Sequence, residues 1–485
     1  MMRSQIDFIL GDHLVSVSDI EPETTVLEWL RSNGRVGTKE GCAEGDCGAC
    51  TVVVAEQQGD TLSYKAINSC IQPMVSLDGR QLITVEDLAR KQSDGRLKLH
   101  LVQQAMVDHH GSQCGFCTPG FVMSMFAMTH DPSFEGYNGL DNTPINQGLA
   151  GNLCRCTGYA PIVRASRKTL MMPETDQFDS GQQQTIDQLE SIRSSDPIRI
   201  SAHGRQLLVP RTQQQLLGML SQYPEGVPVA GATDVGLWLT KELKQFETMI
   251  YLGEVEGLSS IEVGDEYIEI GATASYTDAM PILCEHYPDF REMLTRLGGL
   301  QVRNAGTIGG NIANGSPIGD MPPPLMVLRS KLVLTSSKGS REIDLEDFFI
   351  EYGTQDLQPG EFVHKIRMPL PQTDSFFRVY KVSKRSDQDI TAVLGAFVLR
   401  LKDKEVQEIR IAYGGMAGVP ARATAAEKIV SGAPWDESTV AKACEALTED
   451  FKPLSDWRAS ADYRMLSARN LLKRLYLETS GENDG

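Results

Sequence analysis

Eight of the ten cysteines in this 485-residue chain lie before residue 157, in two groups that differ in spacing. The group nearer the middle has two close pairs, Cys114-x2-Cys117 and Cys154-x1-Cys156. Four thiolates can hold a zinc ion or an iron–sulfur cluster, or they can form two disulfides. The one-residue gap in the second pair is tight for structural zinc, whereas two sulfide-bridged irons would give each sequence pair its own iron. The spacing therefore favours a [2Fe–2S] cluster.

The group nearer the N-terminus has the spacing Cys42-x4-Cys47-x2-Cys50, followed by a distant Cys70. This is the arrangement of plant-type ferredoxins, with a zinc site as the alternative. A loop around a cluster points backbone N–H groups at the sulfurs and needs dihedral angles that glycine allows. Three glycines lie within this loop: Gly41, Gly45 and Gly48.

Charge and hydropathy argue against nucleic-acid-binding, membrane-spanning and secreted proteins. The formal net charge of -18 argues against a nucleic-acid-binding protein, which needs basic patches. No run approaches the roughly 20 apolar residues of a membrane span, and no secretory signal is visible at the N-terminus, so we expect a cytoplasmic protein. Structural disulfides are rare there, which favours metal binding by the cysteines. Cys284 and Cys444 stand apart and are expected to be buried apolar fillers.

The elements that position the first thiol group read as a small mixed sheet. Residues 4–10 and 13–17 alternate apolar and polar side chains, as strands do, and Thr24 or Thr25 can cap a following helix. A further strand begins at Thr51, directly after the cysteine loop. This order predicts a β-grasp, ubiquitin-like ferredoxin domain.

The second thiol group lies in a helical region. From about Leu97 the apolar side chains follow a helical period, and further helices are predicted to start at Pro119, Pro144 and Pro161, because proline favours the first turn of a helix. A four-helix domain would then present each cysteine pair at a helix start. His109 and His110 are adjacent, but eight cysteines already satisfy two clusters, so they are expected to be solvated or capping residues.

Two later loops are predicted to bind a dinucleotide. Residues 227–230 read as a strand that turns through Gly231–Asp234 into a helix, an arrangement that suits a pyrophosphate. The stretch Arg303–Asp320 is rich in glycine, asparagine and hydroxyl side chains and has almost no charge. Such composition lets backbone approach and hydrogen-bond a large polar ligand. Lys381–Asp389, in contrast, reads as a solvated turn.

These motifs closely resemble the iron–sulfur and flavin portion of the molybdenum hydroxylases, the family that includes xanthine dehydrogenases and aldehyde oxidases. The resemblance covers nearly the whole chain. It implies a multidomain α+β protein with an α+β FAD-binding domain (PCMH/vanillyl-alcohol-oxidase-like) and a C-terminal α+β flavoprotein domain. The expected divisions are a [2Fe–2S] ferredoxin domain (1–92), a helical [2Fe–2S] domain (93–172), a linker (173–197), the FAD-binding domain (198–371) and the C-terminal domain (372–485).

The resemblance also assigns roles to residues. Cys42, Cys47, Cys50 and Cys70 would hold the cluster nearer the flavin, and Cys114, Cys117, Cys154 and Cys156 the cluster nearer molybdenum. No side chain of this chain would be catalytic, because the cofactors perform the chemistry. FAD would contact fourteen residues: Pro228, Val229, Ala230, Gly231, Ala232, Thr233, Asp234, Val235, Thr307, Gly310, Asn311, Asp320, Val363 and Lys381.

The implied partner is a large molybdopterin-binding subunit, in an (αβ)2 assembly that passes electrons through both clusters to FAD and then NAD+. The fusion of iron–sulfur and flavin parts in one chain favours an enzyme of the xanthine dehydrogenase type, which converts hypoxanthine and xanthine to urate. An enzyme acting on aldehydes or N-heterocycles is an alternative. The non-enzyme alternative is an interaction protein in which the cysteines bind structural zinc.

Overall fold

The computed structural model describes residues 2–481, which divide into two compact units. The first contains the chain up to Glu256 together with Gly298–Gly306, and the second contains Gly257–Leu297 and the chain from Thr307 onward. Among the helices of the described residues, none combines the length and apolar character that a bilayer crossing requires.

The first unit opens with the predicted β-grasp sheet, whose strand order is β2-β1-β5-β3-β4, with β1 and β5 parallel. Thr25 caps the first helix, because its hydroxyl accepts from the Glu28 N–H while the Glu28 carboxylate accepts from the Thr25 N–H. The elements are β1 (Ile6–Leu10), β2 (His13–Val17), α1 (Val26–Ser32), β3 (Thr51–Gln58), β4 (Thr61–Asn68), β5 (Gln81–Ile83), α2 (Val85–Leu88), β6 (Arg90–Lys91) and β7 (Leu97–Lys98).

Four helices follow, as predicted, but the first begins at Leu101 and not near Leu97, which lies in strand β7. Phe121, Met125 and Met128 are fully buried along one helix, so this stripe belongs to the core. The helices are α3 (Leu101–Asp108), α4 (Thr118–Thr129), α5 (Thr143–Leu149) and α6 (Ala160–Met171).

The segment predicted to be an exposed linker contains two further helices, α7 (Gln177–Ser180) and α8 (Gln182–Ile192). Phe178, Ile186 and Leu189 are buried on the first unit. One buried apolar side chain on α7 and two at helical spacing on α8 were enough to dock a segment whose polar composition indicated exposure.

A four-stranded sheet with the order β10-β11-β9-β8 completes the first unit. Its apolar face shares a core with the β-grasp sheet: Ile6 and Phe8 pack in one cluster with Ile200 and Val229. The elements are β8 (Ile198–Ala202), β9 (Arg205–Val209), α9 (Gln213–Gln222), β10 (Val227–Val229), α10 (Val235–Thr240) and β11 (Thr248–Tyr251).

The second unit begins with an antiparallel sheet of order β12-β13-β18-β14-β15. The run Pro322–Pro324 opens a helix, where proline is well tolerated. The elements are β12 (Ile261–Val263), β13 (Tyr267–Gly271), α11 (Tyr276–His286), α12 (Phe290–Thr295), α13 (Leu300–Ala305, part of the first unit), α14 (Ile308–Ala313), α15 (Pro322–Val327), β14 (Lys331–Ser336), β15 (Gly339–Asp344), β16 (Phe349–Glu351), β17 (Thr354–Gln355) and β18 (Phe362–Pro369).

The second unit ends with a four-stranded antiparallel sheet of order β19-β20-β21-β22 and three helices. Cys284 and Cys444 are buried in two separate apolar cores of this unit, as expected for filler residues. The last elements are β19 (Ser375–Val382), β20 (Val393–Lys402), β21 (Glu405–Gly414), β22 (Ala421–Arg422), α16 (Thr424–Val430), α17 (Glu437–Asp450) and α18 (Ala461–Thr479).

Candidate functional site

The first thiol group lies on the loop between α1 and β3, with its fourth member just after β4. The backbone N–H groups of Cys42 and Cys47 each lie 3.3 Å from the other residue's Sγ. The hydrogen bond from the Cys47 side chain lowers the pKa of Cys42 to about 5 against the opposing effect of burial. The same hydrogen bond raises the pKa of Cys47, so the pair favours one thiolate at Cys42 and keeps one proton on Cys47. Cys50 and Cys70 are 2 % and 3 % exposed.

Two glycines of this loop are required by close approach. A Cβ at Gly41 would lie 2.7 Å from the Cys47 Sγ. Gly48 has a φ of +67°, and a Cβ there would lie 2.2 Å from the Gly151 carbonyl oxygen. Both positions therefore confirm the expectation that glycine is needed where backbone wraps the thiols.

The second thiol group lies at the starts of two helices, on the loops before α4 and α6. Cys114 and Cys156 are exposed, and Cys117 and Cys154 are partly buried. Burial raises the pKa of Cys117 to about 12. Burial acts the same way on Cys154, but the Thr157 hydroxyl, 3.2 Å from its Sγ, contributes to a lowered pKa.

The close contacts within each group are pairwise. In the first group Cys42 contacts Cys47, and Cys50 contacts Cys70. In the second group the contacts run between the loops, with Cys117 beside Cys154 and Cys114 beside Cys156. The expectation that each sequence-adjacent pair shares one iron was therefore wrong for the second group. The spacing of cysteines along the sequence does not determine whether a thiol contacts its neighbour on the same loop or a thiol on the facing loop.

Pairwise contact distinguishes the two kinds of metal centre. A tetrahedral zinc site with Zn–S bonds of about 2.3 Å places all four sulfurs within about 4 Å of one another. Within residues 2–481, no three of the cysteine sulfurs lie within 4.8 Å of one another. Two irons, each bound by one close pair, fit this arrangement, and one zinc ion held by four thiolates does not.

The two thiol groups are joined by direct hydrogen bonds. The Leu153 N–H, next to Cys154, donates to the Cys47 carbonyl at 3.0 Å. The Asn152 amide donates to the Gly48 carbonyl at 3.1 Å. A hydrogen bond between the cysteine-bearing loops fixes their separation and provides a short bonded path from one group to the other.

Sequence reasoning missed the residues that support this junction. The Gln301 side-chain amide from α13 lies 3.1 Å from Thr51 Oγ1, Ser124 Oγ and Asn152 Oδ1, and all four residues are buried. Asn152 lay inside the cysteine motif, but Gln301 is 149 residues further along the chain. The only sequence feature that pointed to a role for Gln301 was its position just before the glycine-rich stretch.

The first candidate flavin loop, residues 228–235, contacts the first thiol group within the same unit. The Gln72 amide, two residues after Cys70, donates to the Gly231 carbonyl at 2.9 Å. The Thr240 hydroxyl donates to the Ala43 carbonyl at 2.7 Å. The order of contacts is therefore second thiol group, first thiol group, then this loop.

The other predicted flavin contacts lie in the second unit. Thr307 caps α14, where its hydroxyl accepts from the Gly310 N–H at 3.1 Å, and Asn311 Oδ1 accepts from the Met321 N–H at 3.2 Å. Val363 is buried in the core of this unit. The structure therefore holds Thr307, Gly310 and Asn311 on one short helix.

Lys381 was included in the charged stretch that we expected to be a solvated turn, which is wrong for this residue. Its ammonium group binds the Asp320 carboxylate at 2.7 Å, with side chains only 2 % and 8 % exposed. Thr391 donates to the other Asp320 oxygen at 2.5 Å. Residues 384–387 are exposed, as expected for a turn.

Four family models match the chain in the order of these sites. A 2Fe-2S iron-sulfur cluster binding domain covers residues 10–74, and a [2Fe-2S] binding domain covers residues 84–167. An FAD binding domain in molybdopterin dehydrogenase covers residues 202–371, and a CO dehydrogenase flavoprotein C-terminal domain covers residues 378–479. The chain therefore carries two 2Fe–2S domains and an FAD-binding domain, which together have an electron-transfer role in this family.

The chain is 31% identical to a xanthine dehydrogenase of Emericella nidulans, over 92% of this chain and 36% of that protein. It thus spans about a third of the length of the curated relatives it matches. Carbon monoxide dehydrogenase from Hydrogenophaga pseudoflava aligns at 27% identity with a TM-score of 0.53, over 55% of this chain and 94% of that chain. Quinoline 2-oxidoreductase from Pseudomonas putida 86 aligns at 26% identity with a TM-score of 0.51, over 56% and 94%. The chain is homologous to the N-terminal part of the xanthine dehydrogenases and belongs to the molybdenum hydroxylase family.

Proposed function

We propose that this chain is the iron–sulfur and flavin subunit of a xanthine dehydrogenase, carrying electrons from a molybdenum centre on a partner to FAD and then to NAD+. The reaction oxidises hypoxanthine and xanthine to urate with water as the oxygen source, and each hydroxylation reduces one NAD+. The observation that carries the proposal is the order of contacts in the first unit, from the exposed thiol group through the buried one to the flavin loop.

Each close thiol pair would bind one iron. Cys42 with Cys47 and Cys50 with Cys70 would complete the flavin-side cluster. Cys114 with Cys156 and Cys117 with Cys154 would complete the partner-side cluster. When bound, the clusters and FAD supply the one- and two-electron chemistry. The chain's own contribution is to fix spacing, to donate N–H groups to sulfur and to limit water around the buried group.

In the first unit, FAD would contact the loop from Pro228 to Val235. A Cβ at Gly231 would lie 1.9 Å from the Ala305 carbonyl oxygen, so this loop is compatible only with glycine there. Asp320 and Lys381 would serve as a buried, charge-neutral polar pair near the cofactor. The remaining proposed contacts in the second unit are Thr307, Gly310, Asn311 and Val363.

The partner would dock on the face that carries the second thiol group. Apolar side chains are exposed there, with Phe116 48 %, Tyr159 40 % and Leu153 36 % accessible. We propose that a molybdopterin-binding subunit covers this face, in an (αβ)2 assembly located in the cytoplasm. Covering these side chains would also shield the exposed Cys114 and Cys156.

A second candidate is the same electron-transfer role in an enzyme acting on N-heterocycles or aldehydes. The structural likeness to quinoline 2-oxidoreductase supports it. The choice between these substrates depends on the pocket of the partner.

The test is to purify the complex that forms around this chain and to assay it with xanthine, quinoline and an aldehyde. We expect about four irons and one FAD per copy of this chain, with molybdenum only in the partner. Xanthine should reduce NAD+ faster than the other two substrates do. Faster turnover with quinoline or the aldehyde would select the second candidate, and reduction of oxygen in place of NAD+ would contradict the proposed acceptor.

A further inference from the structure

A histidine and two aspartates converge in the first unit, away from all eight clustered thiols. His130 Nε2, at the end of α4, lies 3.3 Å from Asp176 Oδ2 and 3.5 Å from Asp179 Oδ1. All three ligand atoms lie within 4.8 Å of one another. The three side chains come from two segments, and the cysteine pair Cys154 and Cys156 lies between them in the sequence.

The backbone leaves one oxygen of each carboxylate for a ligand. Asp176 caps α7, and its Oδ1 accepts from the N–H groups of Phe178 and Asp179 at 2.7 and 3.0 Å. Asp179 Oδ2 accepts from the Asp176 N–H at 2.9 Å. The capping box thus engages one oxygen on each side chain and directs the other toward His130.

The histidine presents a nitrogen lone pair to these oxygens. His130 Nδ1 lies 3.0 Å from the Phe126 carbonyl, which can only accept, so Nδ1 carries the proton in the neutral ring. Nε2 is buried without a hydrogen-bond partner of suitable geometry, and the side chain is 6 % exposed. A lone pair facing two carboxylate oxygens is repulsive, so this geometry requires a positive charge there, either a second proton on the ring or a metal ion between the groups. A backbone carbonyl on the other ring nitrogen is also the usual outer support of a metal-binding histidine.

Two neighbours complete the surroundings of the site. His100 Nδ1 accepts from the Val102 N–H, so its Nε2 carries the proton and donates to Asp176 Oδ2 at 2.7 Å. His100 therefore supports a ligand without being one. The Tyr64 hydroxyl is also buried without a partner, and burial together with the charges of Asp176 and Asp179 raises the pKa of Tyr64.

We propose that His130, Asp176 and Asp179 bind a divalent transition-metal ion, with Zn²⁺ as the ion that fits the donor set. Zinc bonds of about 2.0–2.2 Å to nitrogen and oxygen in a tetrahedral site place neighbouring ligand atoms about 3.3–3.6 Å apart, close to the separations of His130 Nε2 from the two carboxylates. The fourth position is left for water or the Tyr64 hydroxyl. The ion would fasten the segment before α8 to the end of α4, independently of the proposed electron-transfer function.

The test uses the intact complex, stripped with a chelator, incubated with ZnCl2 and desalted. Zinc, iron and FAD are then measured per chain in the wild type and three variants. We expect about one zinc in the wild type and in Glu174→Gln, an exposed acid of the same segment, and less than about 0.2 in His130→Gln and Asp179→Asn. Iron and FAD should be equal in all four proteins. Asp179→Asn keeps an oxygen acceptor for the capping box, which protects the local fold.

X-ray absorption at the zinc edge provides a readout that does not depend on the variants. We expect nitrogen and oxygen neighbours near 2.0 Å and no sulfur shell. Sulfur neighbours near 2.3 Å would place the zinc in the cysteine groups and overturn the proposal. Equal zinc in all four proteins would identify adventitious binding, and no zinc retained by the wild type would mean that His130 holds only a proton; either result overturns it.

Discussion

The two thiol groups use the same four ligands in opposite surroundings. In the first group Cys50 and Cys70 are almost completely buried, and backbone N–H groups are directed at the sulfurs of Cys42 and Cys47. In the second group Cys114 and Cys156 are exposed at helix starts beside exposed aromatic side chains. Since burial and hydrogen bonds to sulfur tune cluster potentials, we expect clusters bound in these two surroundings to differ in reduction potential. The enclosed group contacts the candidate flavin loop, and the open group exposes two of its thiols at the surface.

The largest expected effect separates the groups by function. Cys156→Ser should remove the partner-side cluster and reduce xanthine-driven NAD+ reduction to the assay background. Reduction of an artificial dye by NADH requires only FAD and should stay near the wild-type rate. Equal loss of both activities in stopped assays of the purified complex would contradict the assignment of Cys156.

The matching change in the enclosed group should cost stability as well. Cys50 is 2 % exposed among Leu27, Cys70 and Ile71, with Asn68 Oδ1 3.8 Å from its Sγ, so Cys50→Ser places a hydroxyl in a mostly apolar pocket. We expect an additional loss of about 1–3 kcal/mol in the free energy of unfolding, measured by urea denaturation of the metal-free chains. Cys156→Ser, at an exposed position, should change it by less than about 0.5 kcal/mol. Similar losses in the two variants would remove the structural contrast between the groups.

The junction between the groups can be tested at a glycine. Gly48→Ala combines a φ of +67° with a Cβ only 2.2 Å from the Gly151 carbonyl, so we expect a loss of at least about 3 kcal/mol. Gly59 is the matched control, because it has a φ of +61° and no atom within 4 Å of an added Cβ. Gly59→Ala should cost only about 1–2 kcal/mol in the same urea titration. Equal costs would show that the two cysteine loops are not in close contact.

Removing the polar link should have a smaller effect. Asn152→Ala removes one of the donors to the Gly48 carbonyl, which keeps its bonds from Thr51, and it leaves the buried Ser124 hydroxyl without its acceptor. This change should lower the free energy of unfolding by about 2 kcal/mol. Both iron signals should persist, because no ligand is changed, while electron transfer between the groups slows in flash-reduction experiments. An unchanged transfer rate would exclude this link as the path.

The smallest effect concerns acid sensitivity of the first domain. Burial opposes ionisation of Glu56, but Arg80 and Lys65, at 3.2 and 3.1 Å, lower its pKa to about 2. A lowered folded-state pKa stabilises the fold above the unfolded value near 4.5, and this contribution disappears as the pH falls toward 2. With allowance for its partial exposure we expect about 1 kcal/mol. Glu56→Gln should lose this pH dependence in unfolding titrations, whereas Glu135→Gln, exposed in the helical domain, should retain it.

Local chemistry made much of this architecture predictable. The cysteine spacings, the Thr25 cap and the prolines near the starts of α4, α5 and α6 each depend on residues within a few positions of one another. The predictions failed where distant segments meet. Which thiols pair across the second group depends on how two loops face each other, and Gln301 reaches Asn152 across 149 residues. Lys381 is buried because Asp320 neutralises it, which no local pattern reveals.

The most direct test of the central claim is electron paramagnetic resonance of the dithionite-reduced complex. Two thiol groups, each binding two irons in different surroundings, should give two distinct spin-half signals, each integrating to about one spin per copy of this chain. In Cys156→Ser one signal should disappear and the other should remain. A single signal in the wild type, or none with zinc bound instead of iron, would contradict the account.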